Sequence, residues 1–528
     1  MGRALRFLFT LLVLIGGTLP VHADGAALER GAAIIEPLAL RELDGGRFAV
    51  QRVMLPELPN TIPLSSGQLL ALPSMTRVRE ALDTEFDRYV AGHKATRPDE
   101  SIGVGTGFDF QLFDRDVLYS DDARFVLAGI VNRMDRAFLS PESCGEIRLI
   151  YRLTRTAPPS TPAPAGEAAA SLRLPMTLNI VLKARGGAMI DAKGVGIGCS
   201  EIARRWLAAG ELPLTGAALA EKLTAKDGPL DLIRSDNIDR IETNLQIAHA
   251  PKSAQRDFRT DYLLKVFRLN RATRAYEEAP MENQIDRERL LADQALARDF
   301  REWLLDPRHL NEFDRGTVLI PERFLAKRAI APTPVGFDAS ELQPEFGLVQ
   351  GEGTAAHPVF SESDIVTALR KAADIGVTPA NIRSVAGFAR RLNDVTCAGC
   401  HQTRGIGGFH FPGVDWMAEK PSNETVVPAS PHFFGDQIRR RDILNSVKWG
   451  SAPDYSRGFS DRPQLRTRSE FLGELAGTGY YDGWGAHCYQ QSAKAADNDP
   501  SFRSWTCAKG LVCEPAGKTS RIGMCFIR

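Results

Sequence analysis

The chain has no excess of charge of either sign: 65 Lys and Arg stand against 65 Asp and Glu in 528 residues. No summed field would draw such a chain onto nucleic acid or an anionic membrane surface, and neither is expected as a partner. After residue 23 there is no run of about twenty apolar residues, so no membrane span is expected in the mature protein. No repeat of solenoid length is visible. Before residue 340 there is no P-loop, no dinucleotide-binding glycine pattern in a βαβ context and no nucleophile elbow. The front half therefore names no chemistry. Cysteine is sparse, with eight residues unevenly placed, while 43% hydrophobic residues supply ample material for packed interiors. The length is that of two to four domains.

The first residues read as a secretory signal peptide, 1–23. Met1 to Arg6 is basic, Phe7 to Ile15 is apolar, and Val21-His22-Ala23 is a small-residue cleavage site. Gly16, Gly17 and Pro20 interrupt too early for an anchor. A periplasmic or secreted location follows, where disulfides are the default. Cys144 and Cys199 stand in the front half, Cys397 and Cys400 form a pair, and Cys488, Cys507, Cys513 and Cys525 crowd the end. A Cys144–Cys199 bridge is expected, with a cross-domain bridge to the tail as the alternative. The four terminal cysteines allow three connectivities, and sequence selects none.

Five stretches read as strands of one sheet: 124–131, 146–153, 177–182, 238–248 and 262–269 are rich in β-branched and apolar residues, several in alternation. The proline-rich segment 157–166 is an extended surface loop. Helical pattern then takes over, with an amphipathic stripe over 286–305. The expected fold class is α+β: residues 24–335 form a mixed or antiparallel sheet with helices, and 336–360 a linker. A mostly helical domain over 361–475 follows, then a cysteine-rich tail over 476–528. In the helical part, 361–373 is one helix and Thr378-Pro379 the start of a second, which runs into Cys397.

Cys397-Ala398-Gly399-Cys400-His401 is the one strong motif. C-x-x-C-H is the attachment signature of a c-type haem, with two thioethers and the adjacent imidazole as proximal iron ligand. A thioredoxin-type dithiol needs the pair at a helix N-terminus after a strand, whereas the pattern here places it at a helix C-terminus. A zinc site needs two further ligands at compact spacing, and none is evident. A plain disulfide, or a chance match, is the remaining alternative.

The segment 360–475, about a fifth of the chain, resembles a class I c-type cytochrome domain. That resemblance implies one covalent haem c on Cys397 and Cys400 with His401 proximal, a glycine-rich loop at 405–413, and a later helix at 436–448 packed across the first. The family's distal methionine is missing from its usual place. His432, just before the later helix, is the first candidate for the sixth ligand, Met417 the second, and an open position the third; His410 is too close in sequence to the proximal ligand. Arg439-Arg440-Arg441 could hold haem propionates, although a charge run is ordinarily solvated. Asn132-Arg133-Met134-Asp135-Arg136 is a polar cluster at a strand end that could line a site, although a solvated strand exit is the ordinary reading, and Asn423-Glu424-Thr425 reads as a chance glycosylation pattern.

The implied function is one-electron transfer with a redox partner protein or a small-molecule donor or acceptor. The alternatives are a haem-dependent oxidoreductase of peroxidase or oxygenase type with an open distal site, and a secreted binding or scaffold protein. The exported chain is expected to begin at Asp24, which N-terminal sequencing of the secreted product checks.

Overall fold

The computed structural model describes residues 32–56, 63–106, 111–139, 143–156, 173–185, 197–253, 259–332, 348–350, 358–399, 414–417, 437–457, 487–502, 505–507, 511–515 and 521–526. Its largest element is a curled ten-stranded antiparallel sheet of half-barrel form. Strands β1 (Ala33–Ile34), β2 (Glu100–Thr106), β3 (Gln111–Phe113), β4 (Ala123–Arg133), β5 (Ser143–Arg155), β6 (Arg173–Arg185), β7 (Ile238–Pro251), β8 (Arg259–Asn270), β9 (Ala275–Glu278) and β10 (Arg328–Pro332) compose it. β1, β4, β5, β6 and β7 lie side by side in that order. One edge of β7 pairs with β6 as far as Leu245 and with β2 from Ile247 onward, while its other edge pairs with β8. All five expected strand stretches belong to this sheet.

Alternation gives the sheet two unlike faces. On one, Ile147, Leu149, Tyr151 and Leu153 of β5 and Ile241, Leu245 and Ile247 of β7 join the main apolar core. Helices α1 (Thr76–Thr96) and α2 (Cys199–Gly210) contribute Val78, Leu82, Phe86 and Trp206 to that core. The other face is polar, carrying Glu146, Arg148, Arg152, Thr177, Asn179, Glu242, Asn244 and Gln246, and every one of these is at most 9% exposed. The two charged strands are thus buried on both sides. The Cys144–Cys199 disulfide, Cα–Cα 5.2 Å, ties β5 to the start of α2, the expected bridge.

A second apolar core gathers the helices α3 (Arg287–Ala292), α4 (Gln294–Leu304), α5 (Pro307–Arg315), α6 (Glu362–Asp374) and α7 (Val385–Val395) around Phe300, Phe313, Phe360 and Phe388. The expected stripe over 286–305 is broken at Asp293, whose carboxylate caps α4 by accepting from the Ala295 and Leu296 amides. α7 begins later than Thr378-Pro379 suggests. The Asp314 carboxylate accepts from the backbone amides of Ala380, Asn381 and Ile382 at 2.7–2.9 Å, holding that stretch out of helix, and Ser384 is the N-cap.

These packings overturn the expected fold class. The curled sheet dominates the structure, and the described residues form no separate, mostly helical cytochrome-like domain. α6 and α7 share their core with α3–α5, from the other side of the expected linker. The helix α8 (Gln437–Lys448) does not pack across α7. Its Ile443 and Leu444 enter the sheet's own core against α2, and Ser200 Oγ donates to the Lys448 carbonyl at 2.8 Å. The physical reason is that apolar residues on an amphipathic helix specify that a face is buried and not which surface buries it.

In the tail, β11 (His487–Tyr489), β12 (Val512–Pro515) and β13 (Ile522–Phe526) form a small antiparallel sheet closed by Cys488–Cys513 and Cys507–Cys525. It docks on α7. Ser384 Oγ donates to Asp499 at 2.8 Å, and the Arg390 guanidinium lies 4.8 Å from the centre of the Trp505 ring. Breaking Cys144–Cys199, whose loop separation is 55 residues, with a Cys144→Ala/Cys199→Ala pair is expected to cost about 4 kcal/mol in denaturant unfolding.

Candidate functional site

The motif begins where α7 stops. Thr396 leaves the helix in an extended conformation (φ −79°, ψ 151°). Its hydroxyl then accepts from the Gly399 amide at 3.0 Å, and the Gln284 side chain accepts from the Ala398 amide at 3.0 Å. Cys397 therefore opens a new helical turn capped by Thr396, which corrects the expectation that it closes a helix. Gly399 is required sterically, because a Cβ there would lie 2.2 Å from the Asn393 carbonyl oxygen.

The Cys397 side chain packs against a small apolar patch formed by Leu264, Val266, Ala279, Met281 and Ala329. Its thiol also approaches the Glu282 carbonyl at 3.6 Å. It also borders a cavity of about 100 Å³ that it shares with Val266 and with Arg136, Arg148, Arg240, Arg268 and Arg457. The volume admits a carboxylate-sized group.

These arginines belong to a buried ion network that the sheet register builds. Strands β4 and β5 set Arg133 opposite Glu146, and Asn179 on β6 lies opposite Glu242 on β7. Arg148 bridges Glu146 at 2.8 Å and Glu242 at 3.2 Å, and Arg240 reaches the same two carboxylates at 2.8 and 2.9 Å. Arg136 joins Glu146, at 3.1 Å, to Glu282. Next to this, Arg133 grips both oxygens of Asp135 at 2.8 and 3.1 Å. Arg439 from α8 and Arg457 reach the same carboxylate at 2.8 and 2.7 Å.

Burial alone would raise the Asp135 carboxyl, but Arg133, Arg439, Arg440 and Arg457 hold it well below its usual range. Glu146 is likewise held well down, against burial, by Arg240, Arg136 and Arg148. Glu282 is lowered, also against burial, by Arg136. Burial lowers Arg148 despite Glu242 and Glu146. All three carboxylates stay ionised, and the cavity wall sets five arginines against the carboxylates of Asp135, Glu242 and Glu282.

The structure thus brings together three features that lie far apart in the chain: Cys397, the cluster Asn132–Arg136, and Arg439-Arg440. Asn132–Arg136 is no solvated strand exit, since Arg133 and Asp135 are each 2% exposed. Cys400, His401, His410 and His432 lie outside the described residues. Met417 is placed elsewhere on the sheet: Val414 donates its amide to the Ala128 carbonyl at 3.0 Å, and Trp416 donates its indole N–H to the Leu127 carbonyl at 2.9 Å. These contacts are on β4, whereas Cys397 packs on β8, four strands further in pairing order.

Sequence reading passed over Glu146, Arg148, Arg240 and Glu242. The available signal was a carboxylate and an arginine at every second position of otherwise apolar strands. No known protein family matches the chain, and no curated protein or solved structure does so either.

Asp135→Asn leaves three arginines facing a neutral amide and is expected to cost about 3–5 kcal/mol in urea unfolding at pH 7. The folded-state values of Asp135, Glu146 and Glu282 lie below the unfolded ones. Their stabilisation is therefore complete above about pH 5 and is lost as pH falls through about 4 toward the folded values. Urea midpoints measured from pH 7 to pH 3 should fall steeply in that window, and less so in Asp135→Asn.

Proposed function

We propose that this chain is an exported protein carrying one haem c, linked through Cys397 and Cys400, and that its activity is one-electron transfer. The carrying observation is the amphipathic setting of Cys397, beside both an apolar patch and an arginine-rich cavity. That setting suits a flat apolar ring edged by two carboxylates. When bound, the haem supplies a one-electron couple at iron.

The chain's own residues have distinct parts in this reading. The Cys397 thiol is one covalent anchor, positioned by the Thr396 cap and by the close approach of Gly399 to Asn393. Leu264, Val266 and Ala329 exclude water beside it. Arg136, Arg268 and Arg457 offer donors to an acidic edge, and a cavity of about 100 Å³ takes such an edge but no porphyrin. His401 is the proximal ligand by the motif and His432 stays the candidate for the sixth position, while Met417, held beside β4, is too far from Cys397 to serve. Three disulfides form, and among the described residues no helix is long and apolar enough to cross a membrane. Both fit an exported chain, with the periplasm, where haem is attached, as the location within this reading.

One observation favours a second reading, a haem-dependent oxidoreductase. On the buried polar face of the sheet, Asn244 Oδ1, Gln246 Oε1 and Thr260 Oγ1 make no hydrogen bond. Buried acceptors of this kind are suited to orienting a small polar substrate.

Haem-stained denaturing electrophoresis, after expression with the haem-attachment machinery, tests the proposal. The unmutated chain should stain, and Cys397→Ala should stain much less. An unstained parent chain sinks both readings. A low-spin spectrum indifferent to cyanide supports electron transfer, and high-spin ferric iron that binds cyanide supports the enzyme.

A further inference from the structure

On the opposite face of β7 and β8 from Cys397, a second polar cluster lies under the last turn of α1. Its members come from four elements. His93 is on α1, Glu100 opens β2, His249 is near the end of β7, and Asp261 is on β8. The register explains their meeting. Ile102 pairs with His249 and Ile247 with Asp261, so Glu100, His249 and Asp261 stand diagonally on one face of three neighbouring strands. The helix end then delivers His93.

His93 Nε2 and His249 Nδ1 both point at one oxygen of Glu100, each at 2.6 Å. The two imidazoles are 4.4 Å apart between ring centres, and their side chains are 10% and 4% exposed. The outer nitrogens face a second ring of groups. His249 Nε2 is 3.8 Å from Asp261 Oδ2, and His93 Nδ1 is 3.3 Å from the Tyr89 hydroxyl. Arg97 is 3.7 Å from the other oxygen of Glu100.

Counting protons shows that the cluster can present three lone pairs to one cation. Tyr89 has one hydroxyl proton and donates it to Asp261 at 2.6 Å, so toward His93 its oxygen can only accept. His93 therefore donates from Nδ1. If it also donated from Nε2 to Glu100, it would be an imidazolium. With a cation between the rings, neutral His93 donates Nδ1–H to Tyr89 and neutral His249 directs Nε2–H toward Asp261. Nε2 of His93, Nδ1 of His249 and a Glu100 oxygen are then all lone-pair donors to the metal. Outer partners of this kind are what ligating histidines ordinarily have.

We infer that His93, His249 and Glu100 form a binding site for one divalent cation of the zinc class, with Asp261 and Tyr89 orienting the two imidazoles. Two imidazoles and a carboxylate suit zinc, with a fourth position left to water. The site would clamp the end of α1 to β2 and β7. It is independent of any haem. Among the described residues, the other group of potential ligands, Cys488, Cys507 and Cys513, is occupied in disulfides.

The test is zinc titration of the full exported chain by calorimetry after exhaustive chelation, together with the thermal midpoint with and without zinc. One equivalent should bind and raise the midpoint. His249→Ala and Glu100→Gln should abolish both effects, and Asp261→Asn, which keeps the three ligands, should weaken binding about 10- to 100-fold. Cys397→Ser should bind as the parent does, which separates this site from the thiol motif. No stoichiometric binding by the parent chain overturns the inference, as does unchanged binding in a folded His249→Ala chain. Loss of binding in Cys397→Ser assigns the metal to the motif and likewise overturns it.

Discussion

The carboxylates of Asp135 and Glu146 organise the polar side of this molecule. Each is buried and each is met by three arginines drawn from separate parts of the chain. A buried ion network of this kind is a weak source of net stability, because desolvation offsets most of the Coulomb attraction. What it does impose is position. Removing either carboxylate leaves arginines clustered without their counter-charge, so β4, β5, β7, α8 and the segment at Arg457 are positioned by the same two groups.

The motif at Cys397 is held by the same arrangement. Arg391 of α7 donates to the carbonyls of Asp314 and Arg457 at 2.6 and 3.0 Å, and Arg457 itself closes on Asp135. The helix leading into the motif is thereby referenced to the ion network on the sheet. The tail adds a second hold through Ser384, Asp499 and Trp505. The thiol thus sits on a scaffold built from both apolar cores, beside an apolar patch and an arginine-rich cavity. The five-residue motif by itself says nothing of these surroundings.

The sheet separates two kinds of chemistry. Its even-numbered face on β7 carries Arg240, Glu242, Asn244 and Gln246 toward the Cys397 side, while its odd-numbered face turns His249 toward α1. Period-two alternation is sufficient to keep them apart.

Much of this could be read in the chain. The five strands and the helix over 361–373 follow from local pattern, because periodicity acts over a few residues, and the Cys144–Cys199 bridge follows from there being only two cysteines in that half. The motif itself was plain. Three things were not legible. The polar halves of β5 and β7 alternate as solvent-facing strands do, yet they are buried, since alternation records polarity and not what covers it. Ile443 and Leu444 marked an apolar helix face without naming its partner. His93, Glu100 and His249 share no spacing at all. The sequence by itself determined which faces are apolar and which groups can ionise or ligate. Only the tertiary structure decided which of them meet, because strand register and helix docking join residues more than a hundred positions apart, and no local preference encodes that choice.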